Sequence, residues 1–233
     1  MELLFDDDTC RIVHERGDNG RAVISFAGVG YALGGIQVEE FRRSLDGSQF
    51  DIYYVIDKER RWYNRCYDVV LATINRSLGE RRIGESFTLG NSMGGFGAVL
   101  FAGTLAQCRR AIAFSPQSSV CPAVVPFEDR WREWTQHISD WRVPDAVPHM
   151  RRGVSYVLFF GAADLRDRRH IDRFAAGAGE TLLCRIEQSA HGVAAEIKRH
   201  GLLVPLLDAL LSATPINQQR LGALLGPIRH SVL

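Results

Sequence analysis

The stretch Gly90-Asn91-Ser92-Met93-Gly94-Gly95 decides how this chain is read. It lies between a short β-rich block at residues 86–89 and an apolar segment of helical spacing at residues 94–105. A sharp strand-to-helix turn strains its central residue and leaves no room for side chains on either flank, which is why Gly90 and Gly94 suit it. Such a turn lifts the Ser92 hydroxyl to the carboxyl edge of a sheet. The helix starting there offers free N–H groups and a positive dipole end to developing negative charge. A phosphate cradle is the alternative reading of a glycine-rich turn, but no lysine follows and G-x-x-x-x-G-K-[ST] is not matched.

Working outward, residues 21–26, 51–56, 110–114, 154–160 and 182–186 read as further strands. Helical spacing occupies residues 38–45, 63–78 and 193–200 and a last apolar run to Leu211. This alternation predicts an α/β protein with a mostly parallel central sheet covered by helices, and one domain over residues 1–233. Residues 1–15 are expected to add one or two antiparallel edge strands. Residues 115–150 are irregular, with Trp131, Trp134 and Trp141 among five prolines. They read as an insertion over one end of the sheet, its tryptophans either a substrate-facing cap or the insertion's own small core. The tail from Ser212, with Leu221, Leu224, Leu225 and Ile228, is expected to dock on the body or on a second copy of the chain, so homo-oligomerisation through it stays open.

Two other strand ends carry the complementary chemistry. The block at 154–160 ends in Gly161-Ala162-Ala163-Asp164, and the block at 182–186 ends in Glu187-Gln188-Ser189-Ala190-His191-Gly192. Serine, then acid, then histidine in chain order, each after its own strand, is the order of one fold. Here the sequence resembles the α/β-hydrolase superfamily from about Arg21 to Leu211, on its GNSMGG, FFGAAD and SAHG segments. The segments Asp57 to Asn64 and Ser115-Pro116-Gln117 are similar to small bacterial members, without supplying a substrate.

The resemblance implies a Ser-His-Asp triad of Ser92, His191 and Asp164, with Asp167 the competitor for the acid. Asp164 is preferred because it lies closer to the strand end, while Asp167 and Asp172 among four arginines read as a solvated ion-pair face. It also implies an oxyanion hole of backbone N–H groups, one from Met93 and the other from Gly28 or Val29 in the loop after the first parallel strand. His170 and His200 read as surface residues.

Composition excludes other classes. Lys plus Arg number 28 against 27 Asp plus Glu, so no global field attracts nucleic acid. No apolar run reaches the roughly 20 residues of a membrane span, and the acidic start is unlike a signal peptide. Five cysteines with no CxxC fit neither a disulfide framework nor a zinc site, and point to reduced thiols in the cytoplasm. No cofactor or metal is called for. The expected function is hydrolysis of an ester or thioester, a small-molecule acyl substrate, through an acyl-enzyme. One alternative is an acyltransferase moving the acyl group from acyl-CoA to an alcohol such as a sugar hydroxyl. A non-catalytic ligand-binding protein is the alternative from another class.

Overall fold

Strand alternation decides which helix covers which side of the sheet. The computed structural model describes residues 1–30, 34, 36–47 and 49–233. Its strands are β1 (Glu2–Asp6), β2 (Cys10–Glu15), β3 (Arg21–Phe26), β4 (Asp51–Asp57), β5 (Glu85–Asn91), β6 (Cys108–Phe114), β7 (Ser155–Gly161), β8 (Glu180–Ile186) and β9 (His230–Val232). They form one sheet of order β1-β2-β4-β3-β5-β6-β7-β8-β9. The six strands from β4 to β8 are mutually parallel, while β1 and β2 at one edge and β9 at the other pair antiparallel.

In β3, β4, β6 and β7 alternate residues fall into two separate buried clusters. Ile24, Phe26, Tyr53, Val55, Ala113 and Leu158 join one, and Val23, Ile52, Tyr54, Ile112 and Val157 the other. Both faces are therefore apolar and need a cover, as parallel strands do. The first face receives α1 (Tyr67–Glu80), α2 (Met93–Ala102) and α4 (Leu165–Ala175). The short α3 (Arg132–Thr135) lies between β6 and β7. The second face receives α5 (Val193–Arg199), α6 (Leu203–Leu210) and α7 (Gln218–Leu225). All ten residues of α2 are buried, as expected of a helix that is apolar all round. This is the α/β-hydrolase fold that the sequence resemblance implied.

Two expected helices differ. Residues 38–45 hold only a 3-10 turn at Arg42–Ser44, entered through Phe41 at φ 63°. Glu40 is committed elsewhere: its carbonyl accepts the Ser25 hydroxyl at 2.8 Å and its carboxyl accepts the Gly28 N–H at 3.0 Å. The helix expected at residues 63–78 begins only at Tyr67. The residues before it are bound up in a turn around Asp57, whose carboxylate accepts the N–H groups of Glu59, Arg61 and Tyr63.

The tail docks on its own body. Leu221, Leu225 and Ile228 are buried against the second face, and β9 adds to β8. All five cysteines are free and buried. Among the described residues no helix is long and apolar enough to cross a membrane.

Candidate active site

β5 ends where Ser92 takes φ 57° and ψ −118°, a conformation that a side-chain-bearing residue holds only when its surroundings impose it. The Ser92 N–H donates to the Phe114 carbonyl at 2.8 Å, which ties the turn to the end of β6. A Cβ on Gly90 would stand 2.0 Å from the Gly94 carbonyl oxygen, and one on Gly94 2.1 Å from that of Phe26. Alanine is worth about 1 kcal/mol over glycine in a helix, but backbone contacts at that distance cannot give way cheaply. Gly94→Ala is therefore expected to destabilise the fold by about 3 kcal/mol or more. Urea unfolding measures this, and wild-type stability would mean that α2 can move off β3.

The histidine arrives from the loop after β8. Its backbone is held by the Ser115 hydroxyl, which donates to the His191 carbonyl at 2.7 Å. Its Nε2 lies 2.9 Å from Ser92 Oγ. Its Nδ1 lies 2.9 and 3.1 Å from the two carboxylate oxygens of Asp167.

The carboxylate on the imidazole is thus Asp167, where the sequence favoured Asp164. Asp164 is the N-cap of α4, its Oδ1 accepting the N–H groups of Arg166 at 2.8 Å and Asp167 at 3.2 Å. A capping carboxylate faces its own helix. The residue three positions on sits in the first turn, and here it faces the neighbouring loop. Asp167 is 1% exposed rather than on a solvated face. Burial would raise its carboxyl, but the bond to His191 and the Arg130 charge outweigh that and hold it below the ordinary value.

Arg130, from the insertion, was not foreseen. Its Nη1 donates to Asp167 at 2.9 Å and Asp164 at 3.0 Å, and its Nε to Glu128 at 3.0 and 3.1 Å. Behind it lies a buried relay of Glu128, His170 and Ser118. The Ser118 N–H donates to His170 Nδ1 at 3.2 Å, so Nε2 carries the proton and donates to Glu128 at 2.9 Å. Ser118 and His170 are wholly buried, which corrects the surface reading of His170 and closes this serine to substrate. His200, in contrast, is exposed beside Glu196.

Burial works against the Glu128 carboxylate, but His170 and Arg130 together hold it down at about 2. Its folded value is depressed below 4.5, so its stabilisation is complete above pH 4.5 and is lost as pH falls toward about 2. Glu128→Gln is expected to cost on the order of 3 kcal/mol at neutral pH, at about 1.4 kcal/mol per pH unit. It should also flatten the loss of stability between pH 4.5 and 2. Urea unfolding at several pH values tests it, and parallel acid slopes for both proteins would remove Glu128 from the account.

Around Ser92, Gln117 Nε2 donates to Oγ at 3.0 Å, and Trp62 Nε1 donates to Gln117 Oε1 at 3.2 Å. Trp131 stands 5.6 Å from the His191 ring and also packs on Trp62 and Trp134. Trp134 and Trp141 are partly buried against the core of the first face. Of the expected oxyanion donors, Met93 is the first residue of α2, where an N–H has no acceptor within the helix. The Gly28 N–H is already given to Glu40, which removes it from that role. Burial pushes the Glu40 carboxyl up to about 7 against this bond.

No family model and no curated protein matches this sequence. Solved structures do match. The chain is similar to a capsule O-acetyltransferase of Neisseria meningitidis serogroup A, with 14% identity, TM-score 0.58, and 86% of this chain and 93% of that one covered. It is similar to a Pyrococcus furiosus esterase, with 10% identity, TM-score 0.57 and 91% of each chain covered. An acetyl xylan esterase from Paenibacillus sp. R4 matches over 84% of this chain and 79% of its own, with 10% identity and TM-score 0.53. At these identities the likeness is one of fold, and the fold is that of the α/β-hydrolases.

Proposed function

We propose that the protein is a serine acyl hydrolase that cleaves a small-molecule ester or thioester through an acyl-enzyme. The observation that carries this reading is the unbroken line from Ser92 Oγ to His191 Nε2 and from His191 Nδ1 to Asp167, both contacts 2.9 Å. Ser92 Oγ attacks the acyl carbon while its proton passes to His191 Nε2. The carbonyl electron pair moves to the oxygen, which faces the Met93 N–H and the Val29 N–H of the loop after β3. Collapse expels the alcohol or thiol, which takes the proton from His191. Water then repeats the sequence on the acyl-enzyme. Asp167 holds the imidazole with its proton on Nδ1 and balances the charge of the imidazolium.

Transfer to another hydroxyl is the second reading. A structural neighbour over 86% of the chain is an O-acetyltransferase, and an acyl-enzyme reacts with an alcohol by the same proton path as with water. A binding protein without turnover would have no need of the Ser92–His191–Asp167 line.

The test is intact-mass analysis with a small fluorophosphonate, followed by stopped-flow with p-nitrophenyl acetate. One adduct on the peptide bearing Ser92 and a nitrophenol burst equal to the enzyme concentration are expected. No adduct and no burst would sink the reading. Turnover of acetyl-CoA that requires an added polyol would favour the transferase.

A further inference from the structure

We infer that Gln117 is a catalytic residue of this site, a side-chain donor acting on the nucleophile's own oxygen and held in register by Trp62. The inference rests on Ser92 being the nucleophile and adds a group that neither the motif nor the strand-end pattern indicates.

Hydrogen-bond chemistry fixes the direction of every proton in this line. An indole N–H only donates, so the Gln117 end that meets Trp62 Nε1 at 3.2 Å is the amide oxygen. The amide nitrogen is thereby turned to Ser92 Oγ, at 3.0 Å. An amide N–H also only donates, so Ser92 Oγ accepts there. Its single proton is left to point at His191 Nε2, 2.9 Å away. That nitrogen must then be unprotonated, and the ring proton sits on Nδ1, facing Asp167. Trp62, Gln117, Ser92, His191 and Asp167 form one chain in which each group donates to the next. The resting serine is held in the single orientation from which its proton can leave.

A buried amide with two satisfied ends is common in protein interiors, and that is the plainer explanation to set aside. Three features of the site speak for more. Gln117 and Trp62 are wholly buried, so no water competes for Oγ on that side. The turn that delivers Trp62 is unusual, with Arg60, Trp62 and Tyr63 all at φ between 50° and 60° and the Asp57 carboxylate holding the N–H groups around it. The same turn carries the Tyr63 hydroxyl, which donates to the Ala27 carbonyl at 2.7 Å and so braces the loop holding Val29. One strained turn serves both the nucleophile and the oxyanion loop.

The chemical effect follows from where charge appears. In acylation Oγ gains negative charge as its proton leaves for His191 and its lone pair forms the bond to the acyl carbon. In deacylation the C–Oγ bond breaks, its electron pair returns to Oγ, and His191 gives the proton back. At both moments the Gln117 N–H faces an oxygen more negative than the resting hydroxyl, and a hydrogen bond to a charged oxygen is about twice as strong as one to a neutral oxygen. The gain falls on the transition states and leaves substrate binding unchanged.

The experiment compares wild type with Gln117→Met and Gln117→Glu in fluorophosphonate labelling rate, kcat, KM and Tm. Met keeps the length and removes the donor. Glu keeps the acceptor for Trp62 and presents an oxygen to Ser92, so it reads the same loss should Gln117→Met not fold. Labelling and kcat are expected to fall about 10- to 100-fold with KM within twofold. Trp62→Phe, which frees the amide to turn, is expected to give a smaller loss. Labelling and kcat within threefold of wild type in either folded Gln117 variant overturn the assignment, as does a loss carried by KM and Tm together. A wild type that does not label at all overturns the serine-nucleophile reading first, and this inference with it.

Discussion

Ser92→Ala is expected to lower acyl turnover by about 10^6-fold, the largest effect of any single substitution in this chain. Without Oγ there is no atom to form the proposed acyl-enzyme, and what survives is the background help that the proposed oxyanion donors would give to attack by water. The fold should survive the change, at a cost of about 1 to 3 kcal/mol for the buried Gln117 N–H that loses its acceptor. Ser92 is held by its backbone N–H on Phe114 and by the glycines around it, and alanine accepts the same geometry no less well than serine. The variant should also show no fluorophosphonate adduct and no nitrophenol burst. Residual turnover within a hundredfold of wild type would move the nucleophile elsewhere.

Asp167→Asn is expected to lower kcat by about 10^4-fold with little change in KM. An asparagine carries no charge to balance the imidazolium, and its amide can turn an N–H toward Nδ1. That orientation favours the tautomer with the proton on Nε2, where it confronts the Ser92 hydroxyl. Arg130 sharpens the effect. Its Nη1 donates to Asp167 and lies 3.5 Å from His191 Nδ1, so the carboxylate stands between two cationic or donor groups. With that charge gone, the guanidinium faces the imidazole and opposes its protonation in the transition state. Asp164→Asn is the control. Asparagine caps a helix about as well as aspartate, so activity within about tenfold of wild type is expected. A deeper loss at 164 than at 167 would return the acid role to Asp164.

The difference between these two aspartates marks the boundary between what is legible locally and what is not. They lie three and six residues past the end of β7, and nearness to the strand end pointed to Asp164, whereas the carboxylate in contact with His191 is that of Asp167. Asp164-Leu165-Arg166-Asp167 has a signal that was there to use: a capping aspartate followed by a helix places its own carboxylate on the helix N–H groups. The acid for another task must then come from the first turn. The same holds for His170, whose charged neighbours suggested a surface, although Ile171 and Phe174 at helical spacing bury that side of α4.

The parallel strands, the tight glycine turn at Ser92 and the place of His191 after the last of those strands were legible along the chain. Strands announce themselves by unbroken apolar runs, the elbow by glycines that leave no space for a Cβ, and the histidine by its place after the last parallel strand. These are local signals, or signals of order along the chain. Which carboxylate meets His191, which backbone N–H groups are already taken and what surrounds the Ser92 hydroxyl emerged only from the packed fold. Gly28 lost its N–H to Glu40, twelve residues away. Arg130 reached Asp167 across 37 residues, and Gln117 met Ser92 across 25 and Trp62 across 55. Such pairings come from how an irregular insertion packs on the end of a sheet. No periodicity encodes them, because each is set by the shape of the surfaces that meet.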